Sequence, residues 1–158
     1  MNIEPTSGET SVSWIATFRW YFPLVMLTNL VWETLHLPLY TLWTESTAEY
    51  LLFVVVHCTG GDLLIALSAL TMALLLVAPA GWPHFGFGRV ATVATVFGVG
   101  YTIFSEWLNI VVRKSWQYSD LMPVVPIVDA GLSPILQWVL IPPAMLWLAR
   151  RLAAKQGR

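Results

Sequence analysis

The stretch Asn29-Leu-Val-Trp-Glu-Thr-Leu-His-Leu-Pro-Leu-Tyr40 places a carboxylic acid, Glu33, and an imidazole, His36, inside an apolar run long enough to cross a bilayer. An ionisable group at the centre of a membrane helix costs roughly 2.5 kcal/mol or more on insertion scales, so such groups turn inward and mark a site or a pathway. Asn29, Glu33, His36 and Tyr40 follow one another at spacings of four, three and four, which puts them on one helical stripe. Leu30, Val31, Leu35 and Leu39 are left for lipid or apolar neighbours. The pattern predicts an all-α membrane protein built around a polar pocket, with this stripe as one wall.

Composition agrees with that class. Of 158 residues, 57% are hydrophobic and only 11% are charged, against roughly a quarter charged in soluble domains. The length suits a single membrane domain over residues 1–158 with four spans of about 20 residues each. Net charge is −1 and there is no basic run, which excludes a nucleic-acid partner for want of groups to hold phosphate. A single cysteine, Cys58, excludes an internal disulfide and a Cys-rich zinc site. The leading segment Met1 to Ser13 contains Glu4 and Glu9 but no Lys or Arg. It lacks the basic start of a cleaved signal peptide, so the first helix is expected to direct insertion and to remain.

Four helices are predicted, over about 18–42, 50–78, 89–112 and 132–149. Pro23 lies in the first turns of the first, and Pro38 near its end, where a kink frees backbone groups. The second holds His57, Cys58, Thr59, Gly60, Gly61 and Asp62, whose adjacent glycines are expected to admit a neighbouring helix closely. A Pro/Gly-dense turn, Pro79 to Gly88, ends it. On the third, Thr95, Thr102, Glu106, Asn109 and Arg113 form a second polar wall. Residues 114–131 mix helix breakers with apolar residues and are expected to lie at the interface or fold back as a lid. The fourth carries Gln137, Trp138 and the pair Pro142-Pro143.

With four spans, Arg19, Arg89, Arg150, Arg151, Lys155 and Arg158 fall on one side, and Arg113 and Lys114 on the other. The positive-inside rule then places both termini in the cytoplasm, in a bacterial-type plasma (inner) membrane. At 1.5 Å per residue, Glu33, His36, His57, Asp62, Glu106, Asn109 and Gln137 all lie within about 5–16 Å of the outer helix ends, above an inner half that is almost wholly apolar. Asp62 sits about 140° around its helix from His57, so the two cannot both point at one centre.

These residues suit a membrane-embedded enzyme with a polar site in the outer half of the bilayer, acting on a lipophilic substrate by isomerisation, cyclisation or hydrolysis. Glu33, His36, Asp62 and Glu106 are the expected acid/base groups, because burial brings carboxyl and imidazole chemistry near neutral pH. Trp32, His57, Trp107, Asn109 and Gln137 are expected in support. The plain structural alternative is that Glu, His and Trp hydrogen-bond one another to fix helix registry. Glu33-Thr-Leu-His36 also has the Glu-x-x-His form of carboxylate di-metal helices. Its counterpart is the degraded Glu106-Trp-Leu-Asn109, so a divalent transition metal would draw on Glu33, His36, His57 and Glu106. A proton path finds no continuous polar route through the apolar inner half. The non-enzymatic alternative is an accessory subunit of a homo- or hetero-oligomer, or a small lipid-, quinone- or cofactor-binding protein with membrane lipid as its partner. The layout of helices with buried acids and tryptophans is similar to the EXPERA domain of sterol isomerases and related lipid-binding proteins.

Overall fold

The computed structural model describes residues 13–156; Glu4, Glu9 and Arg158 lie outside the described residues. Four long helices dominate: α1 (Trp14–His36), α3 (Ala48–Val77), α4 (Phe87–Glu106) and α5 (Leu132–Gln156), with a single turn, α2 (Leu42–Glu45), between the first two. Packing is cyclic. α1 lies against α5, α5 against α4, α4 against α3, and α3 against α1. Three helical segments, 48–77, 87–112 and 132–156, are long and apolar enough to span a membrane. Their length and composition are those of an integral membrane protein. α1 is not among the three, because its buried face carries Thr17, Tyr21, Asn29, Glu33 and His36.

The helix ends have local causes. α1 stops at His36 rather than continuing to residue 42: Pro38 lacks the N–H that would continue the helical ladder, so Leu37–Leu39 tighten into one 3₁₀ turn and Tyr40 is extended. Thr47 caps α3, accepting from the Tyr50 N–H at 3.4 Å. Past Glu106, α4 widens into π-type geometry over 107–112, where the Arg113 N–H donates to the Leu108 carbonyl at 2.8 Å. Lys114, at φ 55°, then breaks the helix. α5 runs through Pro142-Pro143 and reaches Gln156, beyond the expected end at 149. Ala149 and Ala153 are buried there and the Arg150 guanidinium lies 5.1 Å from the Phe87 ring centre, so tertiary contact holds the added turns.

Residues 114–131 fold back onto the 3₁₀ turn. Tyr118 forms an antiparallel bridge with Tyr40, the Ser119 N–H donates to the Leu39 carbonyl at 2.9 Å, and the Thr41 N–H donates to the Gln117 carbonyl at 3.0 Å. A two-residue ladder, β1 (Val124–Val125) against β2 (Ala130–Gly131), closes the segment, with Asp129 at φ 51° in its turn.

Two layers divide the interior. Where α1 begins and α5 ends, the core is apolar: Tyr21, Val25, Leu70, Val90 and Leu146, interleaved with Ala66, Ala73, Ala91, Ala94 and Ala149. Small residues bring helices close where lipid tails offer no hydrophobic drive for association. Close approach by glycine occurs elsewhere than the sequence suggested. A Cβ on Gly60 or Gly61 would meet nothing within 4 Å, whereas one on Gly98 would collide with the Trp138 ring. Gly61 faces a cavity, and Gly98 is where α4 meets α5.

Trp138 is 2% exposed and has no room to retreat. Gly98→Ala is therefore expected to destabilise by about 1–3 kcal/mol through overpacking, and Gly61→Ala to be neutral or stabilising by about 0.5–1 kcal/mol through helix propensity. Thermal unfolding of both variants in nanodiscs measures the contrast, and equal midpoints would contradict it.

Candidate functional site

The second layer, where α1 and α4 end and α3 and α5 begin, is polar. Asn29, Glu33, His36, Asp62, Thr102, Glu106 and Gln137 are buried in it. At its centre the Gln137 side chain reaches across from α5. Its amide nitrogen stands 2.9 Å from Asn29 Oδ1, 3.0 Å from Glu33 Oε1 and 2.8 Å from Asp62 Oδ2. An amide nitrogen has two hydrogens, so three acceptors share them. Turning Asn29 Oδ1 toward Gln137 leaves Asn29 Nδ2 buried with no partner among the described residues.

One turn along α1, His36 Nε2 lies 3.2 Å from Glu33 Oε2, and His36 Nδ1 lies 3.1 Å from Ser133 Oγ in the first turn of α5. Serine, imidazole and carboxylate in line resemble a nucleophile triad. Ser133 is absent from the cavity wall, however, whereas Glu33 and His36 are part of it. The hydroxyl therefore orients the imidazole.

A second cluster surrounds Glu106. Its Oε2 accepts from the Tyr40 hydroxyl at 3.2 Å and from the Tyr118 hydroxyl at 2.5 Å. The Tyr118 oxygen in turn accepts from the Gly131 N–H at 2.6 Å. Burial, followed by the Glu106 carboxylate it bonds to, pushes the Tyr118 hydroxyl well above the ordinary tyrosine value. Tyr118 thus stays a neutral donor, tying residues 114–131 to α4. The His36 and Tyr40 rings, with centres 5.4 Å apart, link this cluster to the first.

Both clusters line one cavity of about 700 Å³. Glu33, His36, Asp62, Glu106, Asn109 and Gln137 are all in its wall. His57 lines it too but is exposed, stacked on Phe53 with ring centres 5.5 Å apart, at the mouth of the cavity. The angular conflict is resolved in this way: Asp62 turns inward to Gln137 while His57 stays at the rim. Trp32 and Trp107 do not line the cavity, and Trp107 is half exposed beside Phe104. On α4, Thr102, Glu106, Asn109 and Arg113 reach the wall, but Thr95 does not.

Among the described residues, no three His, Cys, Asp or Glu side chains converge on a position that could hold a metal ion. Glu33 and His36 remain a two-donor pair, short of the three protein ligands of a catalytic zinc site. His57 is held at the rim, and Glu106 Oε2 is occupied by two phenols.

Ser133, Tyr118 and the Gly131 amide are the participants sequence reading missed. Ser133 is one small hydroxyl at a helix start. Tyr118 sits in a Pro-rich segment without periodicity. Tyr40 lay on the recognised stripe but was not assigned to the site. The chain matches no family model, no curated protein and no solved structure.

Gln137→Met keeps size and removes the donor shared by three acceptors. It is expected to cost about 1–3 kcal/mol or more, read as a lowered unfolding midpoint in nanodiscs. Adding Asp62→Leu should recover part of the loss, since removing both partners leaves less unpaired. An unchanged midpoint for Gln137→Met would refute the role given to the amide.

Proposed function

We propose that the protein is a four-helix transmembrane bundle that carries out acid/base chemistry on a lipophilic substrate held between its helices. Support for α1 as the fourth span comes from its outer face, where Ile15, Met26, Leu27, Leu30, Val31 and Leu35 are exposed, and from its length of about 35 Å. Arg19, Arg89, Arg150, Arg151 and Lys155 then share one end and Arg113 and Lys114 the other. The positive-inside rule assigns the first end, with both termini, to the cytoplasm of a bacterial-type plasma membrane, and the cavity to the outer half.

The observation that carries the reading is the cavity itself: ionisable groups form its deep wall, while its α3 and α4 sides include side chains that are also exposed. Phe53, Leu64 and Met72 on α3, and Phe97 and Tyr101 on α4, both line it and stand open to the surroundings. A lipophilic molecule reaches the acids sideways from the bilayer without crossing water. Within, the Glu33–His36 pair and Glu106 with Tyr40 form two proton-handling stations. One gives a proton to the substrate and the other takes one away, so the proton count is unchanged, as isomerisation or cyclisation requires. Asp62 and Gln137 hold Glu33 in place, and Ser133 holds His36.

A second reading is lipid, quinone or cofactor binding without turnover, as a free-standing protein or an accessory subunit. It is favoured by the number of protein partners already engaged by Glu33, Asp62 and Glu106.

Mass spectrometry of lipid extracts from cells with no copy, the unsubstituted protein, or the Glu33→Gln and Glu106→Gln variants distinguishes the two. The catalytic reading expects at least one lipid species that changes with the unsubstituted protein and reverts in either variant. Folded, membrane-inserted variants giving the same lipid profile as the unsubstituted protein would end it.

A further inference from the structure

Building on the cavity reading above, we infer that the molecule held there is a long apolar compound whose polar end donates hydrogen bonds, a hydroxyl or an amine, and is not an anion. Around the acids the wall supplies acceptors, and the hydrogens of Gln137, Tyr40, Tyr118 and Asn109 are spent; the unpaired Trp116 Nε1 is sealed from the open space. The Gln137 amide hydrogens are taken by Asn29, Glu33 and Asp62, and both phenols by Glu106 Oε2. Both ring nitrogens of His36 are engaged, by Glu33 and Ser133. The Asn109 amide nitrogen donates to the Ser105 carbonyl at 2.9 Å and to Ser105 Oγ at 3.3 Å.

Acceptors remain. Glu106 Oε1 has no hydrogen-bond partner among the described residues, yet it is not sealed from space as Asn29 Nδ2 and Thr59 Oγ1 are, so it faces the cavity. Thr102 and Ser105, also in the wall, act as donor or acceptor and discriminate against neither. No Lys or Arg is buried among the described residues. Arg113 and His57 line the cavity but are exposed, at its mouth rather than beside the acids.

A carboxylate- or phosphate-ended lipid would bring more acceptors, and negative charge, to Glu33, Asp62 and Glu106. A hydroxyl or ammonium supplies the missing hydrogens. The apolar remainder lies along Ile65, Ala69, Met72 and Phe97 toward the open side.

Three probes of equal chain length, dodecanol, dodecylamine and dodecanoate, added to the protein in nanodiscs and read by tryptophan fluorescence, test this through Trp116 and Trp138 in the cavity wall. At least one of the alcohol and the amine is expected to bind about tenfold or more tighter than dodecanoate. A lead of either the alcohol or the amine over dodecanoate supports the inference. Glu106→Gln should narrow the margin over dodecanoate. If that variant does not fold, the ranking on the unsubstituted protein decides alone. Equal or tighter binding of dodecanoate overturns the inference and leaves the cavity reading standing. Failure of all three probes to bind overturns both.

Discussion

A carboxyl group withdrawn from water must be given hydrogen bonds, and here one side-chain amide answers for two of them. Gln137 stands between α1 and α3, within 3.0 Å of acceptors on both. The cost of an unpaired buried polar group rises steeply as the local dielectric falls. Any sliding or rotation of α5 that withdrew the amide would strand Glu33 and Asp62 together. The polar layer thereby sets the register of three helices. Trp138, the next residue, is pressed against Gly98 and fixes the fourth. The apolar alanine-lined layer specifies register less strictly, since small residues recur along α3 and α4.

The segment after α4 is anchored on the same terms. Glu106 needs donors, and those near it come from outside the long helices: Tyr40 just past α1 and Tyr118 from the folded-back segment. Its backbone bridge to Tyr40 and its hydrogen bonds to Leu39, Thr41 and Pro38 seat it over the end of α1. Ser115 and Trp116 thereby join the cavity wall. The widened turn at 107–112 is the geometry by which the chain leaves α4 and doubles back toward Tyr40.

Much of this was legible in the residues. Asn29, Glu33 and His36 fall on one stripe because helical periodicity is rigid, and the shared depth of Glu33, Asp62, Glu106 and Gln137 follows from counting along antiparallel helices. Four helices were read as spans, and three of them are long and apolar enough to cross a membrane. What periodicity does not encode is which neighbour meets which. Gly60 and Gly61 looked like a contact and face open space, whereas Gly98, one glycine among several on α4, takes the Trp138 ring. Tyr118 was out of reach for the same reason: its partner is set by the path of an irregular segment, and no repeat in the sequence records that path. Trp32 and Trp107 adjoin their acids in sequence, but consecutive helical residues point about 100° apart, and neither reaches the cavity.

The central claim is that these acids occupy a shared space reached from the bilayer and not from water. Dicyclohexylcarbodiimide partitions into membranes and couples to carboxyl groups there, its nitrogen taking up a proton as the carboxyl oxygen adds to its carbon, whereas a permanently charged carbodiimide remains in the aqueous phase. Applied separately to the protein in sealed vesicles and followed by peptide mapping, the lipophilic reagent is expected to modify Glu106, whose Oε1 faces the cavity, and the charged reagent to leave it intact. Modification by the charged reagent alone would contradict the claim. So would a folded protein in which Glu33, Asp62 and Glu106 all escape the lipophilic one.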